Sequence, residues 1–127
     1  MAIRTELSLR LQNSPGARAG GCQLFRGASV NVLAMSLESG GLLRVVVDNH
    51  IHAAGVLREH HFQPEMRDVL YVQMPNAPGS MAVVGRLVAA AGVNVDYAYA
   101  AVIEGEPMAA VVLGVADAQR AAAAAGL

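Results

Sequence analysis

Two motifs in this chain occur twice at one fixed spacing, and that repeat limits the folds open to it. Asn13-Ser14-Pro15-Gly16 returns as Asn76-Ala77-Pro78-Gly79, and Val30-Asn31-Val32 returns as Val93-Asn94-Val95, each second copy 63 residues after the first. Unrelated motifs sharing one offset mark a duplication, so the 127 residues divide into two similar units, set at residues 1–67 and 68–127.

Each unit has the same local order. Leu7, Leu9 and Leu11 alternate with Ser8, Arg10 and Gln12, the period of a half-buried strand, and Leu70, Val72 and Met74 repeat the pattern. Pro15 and Pro78 suit a first helical position, where a missing N–H is no loss. Beyond Gly79, the residues Met81, Val84, Leu87, Val88 and Ala91 recur at helical spacing. The matching first helix holds Gly20 and Gly21, each about 1 kcal/mol worse than Ala, and is expected to be the looser one. Two β-rich runs follow in each unit, 30–37 with 42–47 and 93–103 with 108–115, joined at Ser39-Gly40-Gly41 and at Glu104-Gly105-Glu106-Pro107. A second helix closes each unit, over 51–61 and 118–125. Residues 62–67 are expected to form a fourth strand, held to a sheet edge by Pro64. The second unit has no residues left for its own fourth strand.

The fold class is therefore α+β: two tandem ferredoxin-like βαββαβ modules with antiparallel sheets, helices on one face, and the last strand missing from the second. Modules of about 60 residues bury only about 60% of their unfolded surface and are marginal alone. Their third strands are apolar on both faces, more than one-sided helix cover can satisfy. Packing of the units on each other, and a homodimer, are expected on that ground.

Charge and composition exclude several classes. The nine basic residues are all Arg, they are scattered, and the net charge is -1, so nothing draws nucleic acid or an anionic membrane. Cys22 is the only cysteine, and a reducing, cytoplasmic location is expected. The longest apolar stretch, 108–116, falls far short of the ~20 residues that span a bilayer.

The Asn-x-Pro-Gly turn, together with a helix ending in Ala91-Gly92-Val93-Asn94-Val95-Asp96-Tyr97-Ala98-Tyr99-Ala100, resembles the ACT domain. This regulatory module is attached to enzymes such as aspartate kinase. The likeness covers the chain twice and is stronger in the second unit. The resemblance implies a non-catalytic, allosteric regulator that binds an amino acid or related small metabolite at the interface between paired modules. The implied ligand-binding residues are Asn13, Ser14, Pro15, Gly16 and Asn31 in the first unit, and Asn76, Ala77, Pro78, Gly79, Ser80 and Asn94 in the second. These residue types suit the ligand. A helix start offers free N–H groups and partial positive charge to a carboxylate. Glycine lets a ligand approach the backbone, and an Asn side chain can serve both an ammonium and a carboxylate. The plainer reading is that Pro-Gly sets the turn and Asn caps a strand end.

No cofactor or metal is expected. His50 and His52 lack completing ligands, and His60 and His61 fall where a helix C-terminus favours positive charge. Cys22 reads as a small buried hydrophobe, and Tyr97 with Tyr99 as an interface filler ahead of a ligand platform. Catalytic machinery is not evident, so the chain is read as no enzyme. Two alternatives stay open. One is a regulatory subunit acting mainly by contact with an amino-acid biosynthetic enzyme. The other is a small enzyme on a ferredoxin-like scaffold.

Overall fold

In the computed structural model, residues 2–12 and 15–124 are described, those at 15, 17–19, 21 and 22 by their backbone alone. The order is β1 (Ala2–Arg10), α1 (Pro15–Gly27), β2 (Val32–Leu37), β3 (Leu42–Val47), α2 (His50–Glu59), β4 (Glu65–Pro75), α3 (Ser80–Ala90), β5 (Val95–Ala101), β6 (Met108–Val115) and α4 (Ala118–Ala124). These six strands and four helices form an α+β fold of two tandem ferredoxin-like modules. Two compact units divide the chain: Thr5–Arg67, the N-terminal unit, and Asp68–Leu127 with Met1–Arg4, the C-terminal unit.

In the N-terminal unit β3 lies between β2 and β1, antiparallel to both. Opposed residues share a face, so Leu9 with Leu43 and Leu7 with Val45 turn one way. That row joins Phe25, Val30, Ala53, Ala54 and Leu57 from the helical layer in one core. The opposite face carries Glu6 beside Val46, Ser8 beside Arg44, and Arg10 beside Leu42.

The C-terminal unit repeats this design with β6 between β4 and β5. Leu70, Val72 and Met74 of β4 and Val111, Leu113 and Val115 of β6 pack with Val84 and Val88 of α3. From α4 come Ala118, Ala121 and Ala122, at spacings that put three small side chains on one helical stripe. The duplication extends to irregularities. The ladder slips between Val32 and Ala34 in one unit and between Val95 and Tyr97, the corresponding positions, in the other.

The excess of apolar surface on β6 has a local answer. Tyr97 opposes Gly114 and Tyr99 opposes Val112, and the two rings stack at 6.4 Å and 10°. The Tyr97 ring occupies the space that any Cβ on Gly114 would need. Tyr71 lies on the other side of Val112, with the Arg4 guanidinium 5.1 Å from its ring centre. Aromatic side chains of the unit's own strands therefore cover a glycine and a valine that helices do not reach.

Two expectations need correction. The edge strand placed at 62–67 and the separate strand beginning at Leu70 are one continuous strand, β4. Pro64 lies just before it and interrupts nothing, since a proline ahead of a strand removes no ladder donor. Pro78 is not a first helical residue as Pro15 is: α3 starts at Ser80, after Gly79 at φ 86°. Helix α2 starts one residue before and ends two residues before the expected 51–61, β2 starts two residues after the expected 30, and β5 is shorter than 93–103 at both ends.

Helix ends show one unequal pair of repeats. Ser29 follows α1 at φ 57°, with Ser29 N–H donating to Arg26 O at 3.1 Å and Val30 N–H to Phe25 O at 3.0 Å. Gly92 occupies the same place after α3 at φ 67°. This left-handed position strains any residue with a Cβ. Ser29→Gly is expected to raise stability by about 1 kcal/mol, read as an increased urea midpoint at unchanged m-value.

Candidate functional site

The corner between β4 and α3 is built around Asn76. Its main-chain N–H donates to Pro107 O at 3.0 Å, and its Nδ2 donates to Ile103 O at 3.0 Å and Glu106 O at 2.9 Å. Both protons of the carboxamide are thus committed to the β5–β6 loop. Ala77 N–H turns back to Pro75 O at 2.9 Å, and Ser80 N–H reaches Ala77 O at 3.3 Å. Gly79 caps α3 with no side-chain acceptor, so the first-turn amides after Ser80 have no side-chain cap. Ala77, Pro78 and Gly79 are exposed, and Ser80 is partly so.

Asn94 lies at the other end of α3, just ahead of β5. An eleven-residue helix is about 16 Å long, so the corner and Asn94 do not meet within one unit. Asn94 instead lines a 440 Å³ groove with Gly85, Val88, Ala89, Val95 and Leu113. Its side chain is exposed and makes no hydrogen bond among the described residues.

In the N-terminal unit, Asn13 and Ser14 lie outside the described residues. Pro15 opens α1, and Gly16 is exposed with open space around its Cα. Asn31 is held by its main chain: its N–H donates to Asp48 Oδ1 at 3.1 Å, and Asp48 N–H returns to Asn31 O at 3.1 Å. Asp48 has no acidic counterpart in the second unit, where Ala116 follows β6. The repeated asparagines are therefore differently tethered.

The remaining polar candidates serve the backbone. Asn49 accepts from His52 N–H at 3.1 Å at the start of α2, and Asp117 accepts from Arg120 N–H at 3.0 Å at the start of α4. These are paired N-caps of the second helices. The His52 ring meets Ala28 O at 3.1 Å, and that of His60 meets Val56 O at 3.0 Å. Among the described residues no group of three His, Cys, Asp or Glu side chains is arranged to hold a metal ion. The Cys22 side chain lies outside the described atoms.

One cavity was not foreseen from sequence. It encloses about 460 Å³ in the N-terminal unit, between Ser8 and Arg10 of β1, Leu42 and Arg44 of β3, and the α2–β4 connection at His61, Phe62, Gln63 and Glu65. Arg44 forms its fixed wall, with Nη1 3.6 Å from Glu6 and Nε 3.4 Å from Glu38. The available signal was the alternation itself, which puts Ser8 and Arg10 on the face away from the helices. No motif marks the third side.

Comparison with known proteins agrees with this architecture. A comparison with curated proteins found no match. Among solved structures, protein BT0572 from Bacteroides thetaiotaomicron is 25% identical, with a TM-score of 0.85 over 96% of this chain and 85% of that one. The ligand-free regulatory subunit of aspartate kinase from Thermus thermophilus is 18% identical, with a TM-score of 0.70 over 98% of this chain and 92% of that one. Its counterpart from Thermus flavus is also 18% identical, with a TM-score of 0.65 over 98% and 94%. The model of the ACT domain pair matches residues 1–124, nearly the whole length, as a duplicated βαββα chain with its two Pro-Gly corners should; the chain belongs to the ACT domain pair family.

Proposed function

We propose that this chain is a non-catalytic regulatory protein that binds an amino acid, or a closely related metabolite, and changes its packing or that of a partner enzyme in response. The carrying observation is the groove at Asn94. It is lined by small and apolar residues, about 440 Å³ in volume, and holds one polar side chain free to read a ligand. Such a balance of apolar wall and few polar groups is typical of small-molecule sites. The likeness to aspartate kinase regulatory subunits supports a regulatory role in amino-acid metabolism. Because a corner and an Asn94 groove lie at opposite ends of α3, a two-sided site calls for a second copy of the chain. A homodimer working in the cytoplasm fits that reading. No helix among the described residues is long and apolar enough to cross a membrane.

The experiment is a thermal-shift series with the twenty amino acids. At a hundredfold excess over Kd the bound form gains about 2.7 kcal/mol, a clear rise in Tm. A series with no shift at millimolar ligand would remove the ligand from this reading.

A second reading, a subunit that acts chiefly by protein contact, is favoured by one surface. Val102, Ile103 and Met108 are all exposed around the β5–β6 loop, with Ile103 at 69%. Capture of an amino-acid biosynthetic enzyme that is lost on Ile103→Asp would favour it.

A further inference from the structure

We propose that the N-terminal unit carries a separate site for a free α-amino acid in the 460 Å³ cavity between β1, β3 and the α2–β4 connection. This inference rests on the regulatory reading only for the class of ligand; the place is different, and none of its residues belongs to the Pro-Gly corners or the asparagine pair.

Charge carries the argument. Arg10 and Glu65 face the same cavity with opposite signs, yet neither has an ion-pair partner within 4.0 Å among the described residues, including each other. Arg44, by contrast, is already engaged by Glu6 and Glu38. The cavity thus offers one unspent cation and one unspent anion, held apart. An α-amino acid carries the complementary pair, a carboxylate and an ammonium a few ångströms from each other. A guanidinium suits the carboxylate through two parallel N–H donors, and Glu65 suits the ammonium. Ser8 adds a hydroxyl, while Leu42 and Phe62 provide an apolar wall for a side chain. The volume falls within the ~300–1,000 Å³ of small-molecule pockets.

Backbone conformation gives a second, independent observation. His61 adopts φ 67° just past α2, with its N–H donating to Arg58 O at 3.0 Å and Phe62 N–H to Leu57 O at 2.9 Å. That is the helix-ending position glycine fills best, and Gly92 fills it after α3. A histidine there keeps the backbone strained at a position that lines the cavity. Strain of this kind is retained where the side chain has work to do.

The test is isothermal titration of the full chain with the twenty amino acids, and with propionate and propylamine as half-molecules. Arg10→Gln, Glu65→Gln, His61→Gly and Asn94→Ala are compared with the parent. Two binding events are expected: one weakens at least about tenfold in Arg10→Gln and in Glu65→Gln, persists in Asn94→Ala, and is about tenfold weaker for either half-molecule, while the event at the Asn94 groove weakens in Asn94→Ala and persists in the Arg10 and Glu65 variants. His61→Gly is expected to raise Tm while weakening binding, a split that a purely structural histidine would not produce. Parent-like affinity in both Arg10→Gln and Glu65→Gln overturns the site. If affinity then falls in Asn94→Ala, the reading at the Asn94 groove stands without it. A single binding event, lost in the Arg10 and Glu65 variants and untouched in Asn94→Ala, retires the Asn94 groove and keeps this site. An absence of heat and of thermal shift with every amino acid overturns both.

Discussion

Glu6→Ala is expected to destabilise the chain by about 3–5 kcal/mol, the effect seen when one partner of a buried ion pair is removed. Glu6 is only 1% exposed, on the sheet face away from the helices, with Arg44 Nη1 3.6 Å from its carboxylate. Arg44 is itself mostly buried, and the Glu38 that it also meets is half exposed. The loss is then chiefly the desolvation of a guanidinium without its buried counter-charge. A module of about 60 residues has little stability to spare, so the variant should be largely unfolded at 37 °C. The double replacement Glu6→Met with Arg44→Met should recover most of the loss, since a well-packed apolar pair avoids the desolvation altogether. Urea denaturation of the three variants decides the matter. A loss below about 1 kcal/mol in Glu6→Ala would place the pair among surface ion pairs instead.

Gly41→Ala and Gly105→Ala form the second strong contrast. Both glycines sit at φ 85° in the turn between a unit's second and third strands, so alanine meets the same conformational penalty of about 1–2 kcal/mol at each. Their surroundings differ. A Cβ at Gly105 meets nothing within 4 Å, whereas one at Gly41 runs into the main-chain carbonyl of Leu11. That carbonyl cannot withdraw, because Leu11 N–H is bound to Gly41 O at 2.8 Å and Leu11 is buried in the core. Gly41→Ala should therefore cost at least about 3 kcal/mol and Gly105→Ala no more than about 2, measured as equilibrium stability in urea. Equal losses would show that the β1 end yields freely.

Much of the fold was legible because the duplication preserves what backbone geometry demands. Alternation at Leu7, Leu9 and Leu11 and at Leu70, Val72 and Met74 identified core-facing rows, and both rows lie in the cores. The apolar runs 42–47 and 108–115 are β3 and β6 over the same residues. The joining of 62–67 to the strand after it was not legible. Pro64 looks identical in sequence whether it stands inside a short edge strand or one residue ahead of a long one. The tyrosine cover over Gly114 was equally hidden. It depends on which residue opposes which across β5 and β6, and the slip between Val95 and Tyr97 sets that register. The candidate site was less readable still. Asn76 looks in sequence like a ligand contact, but its carboxamide faces two carbonyls of a loop more than twenty residues later. The cavity at Arg10 and Glu65 draws on three distant stretches, and no local spacing announces such a convergence.

The strand β4 begins in one unit and ends in the other, with the border between Arg67 and Asp68 falling inside its eleven residues. A border of this kind has no tether that could be lengthened, shortened or exchanged. Recombination that swapped one half for a relative's would have to splice inside a strand, and would also have to carry along the first residues of the chain, which belong with the later half. The pair should thus be inherited, truncated or transplanted as a whole, although its sequence still shows it was once a single copy.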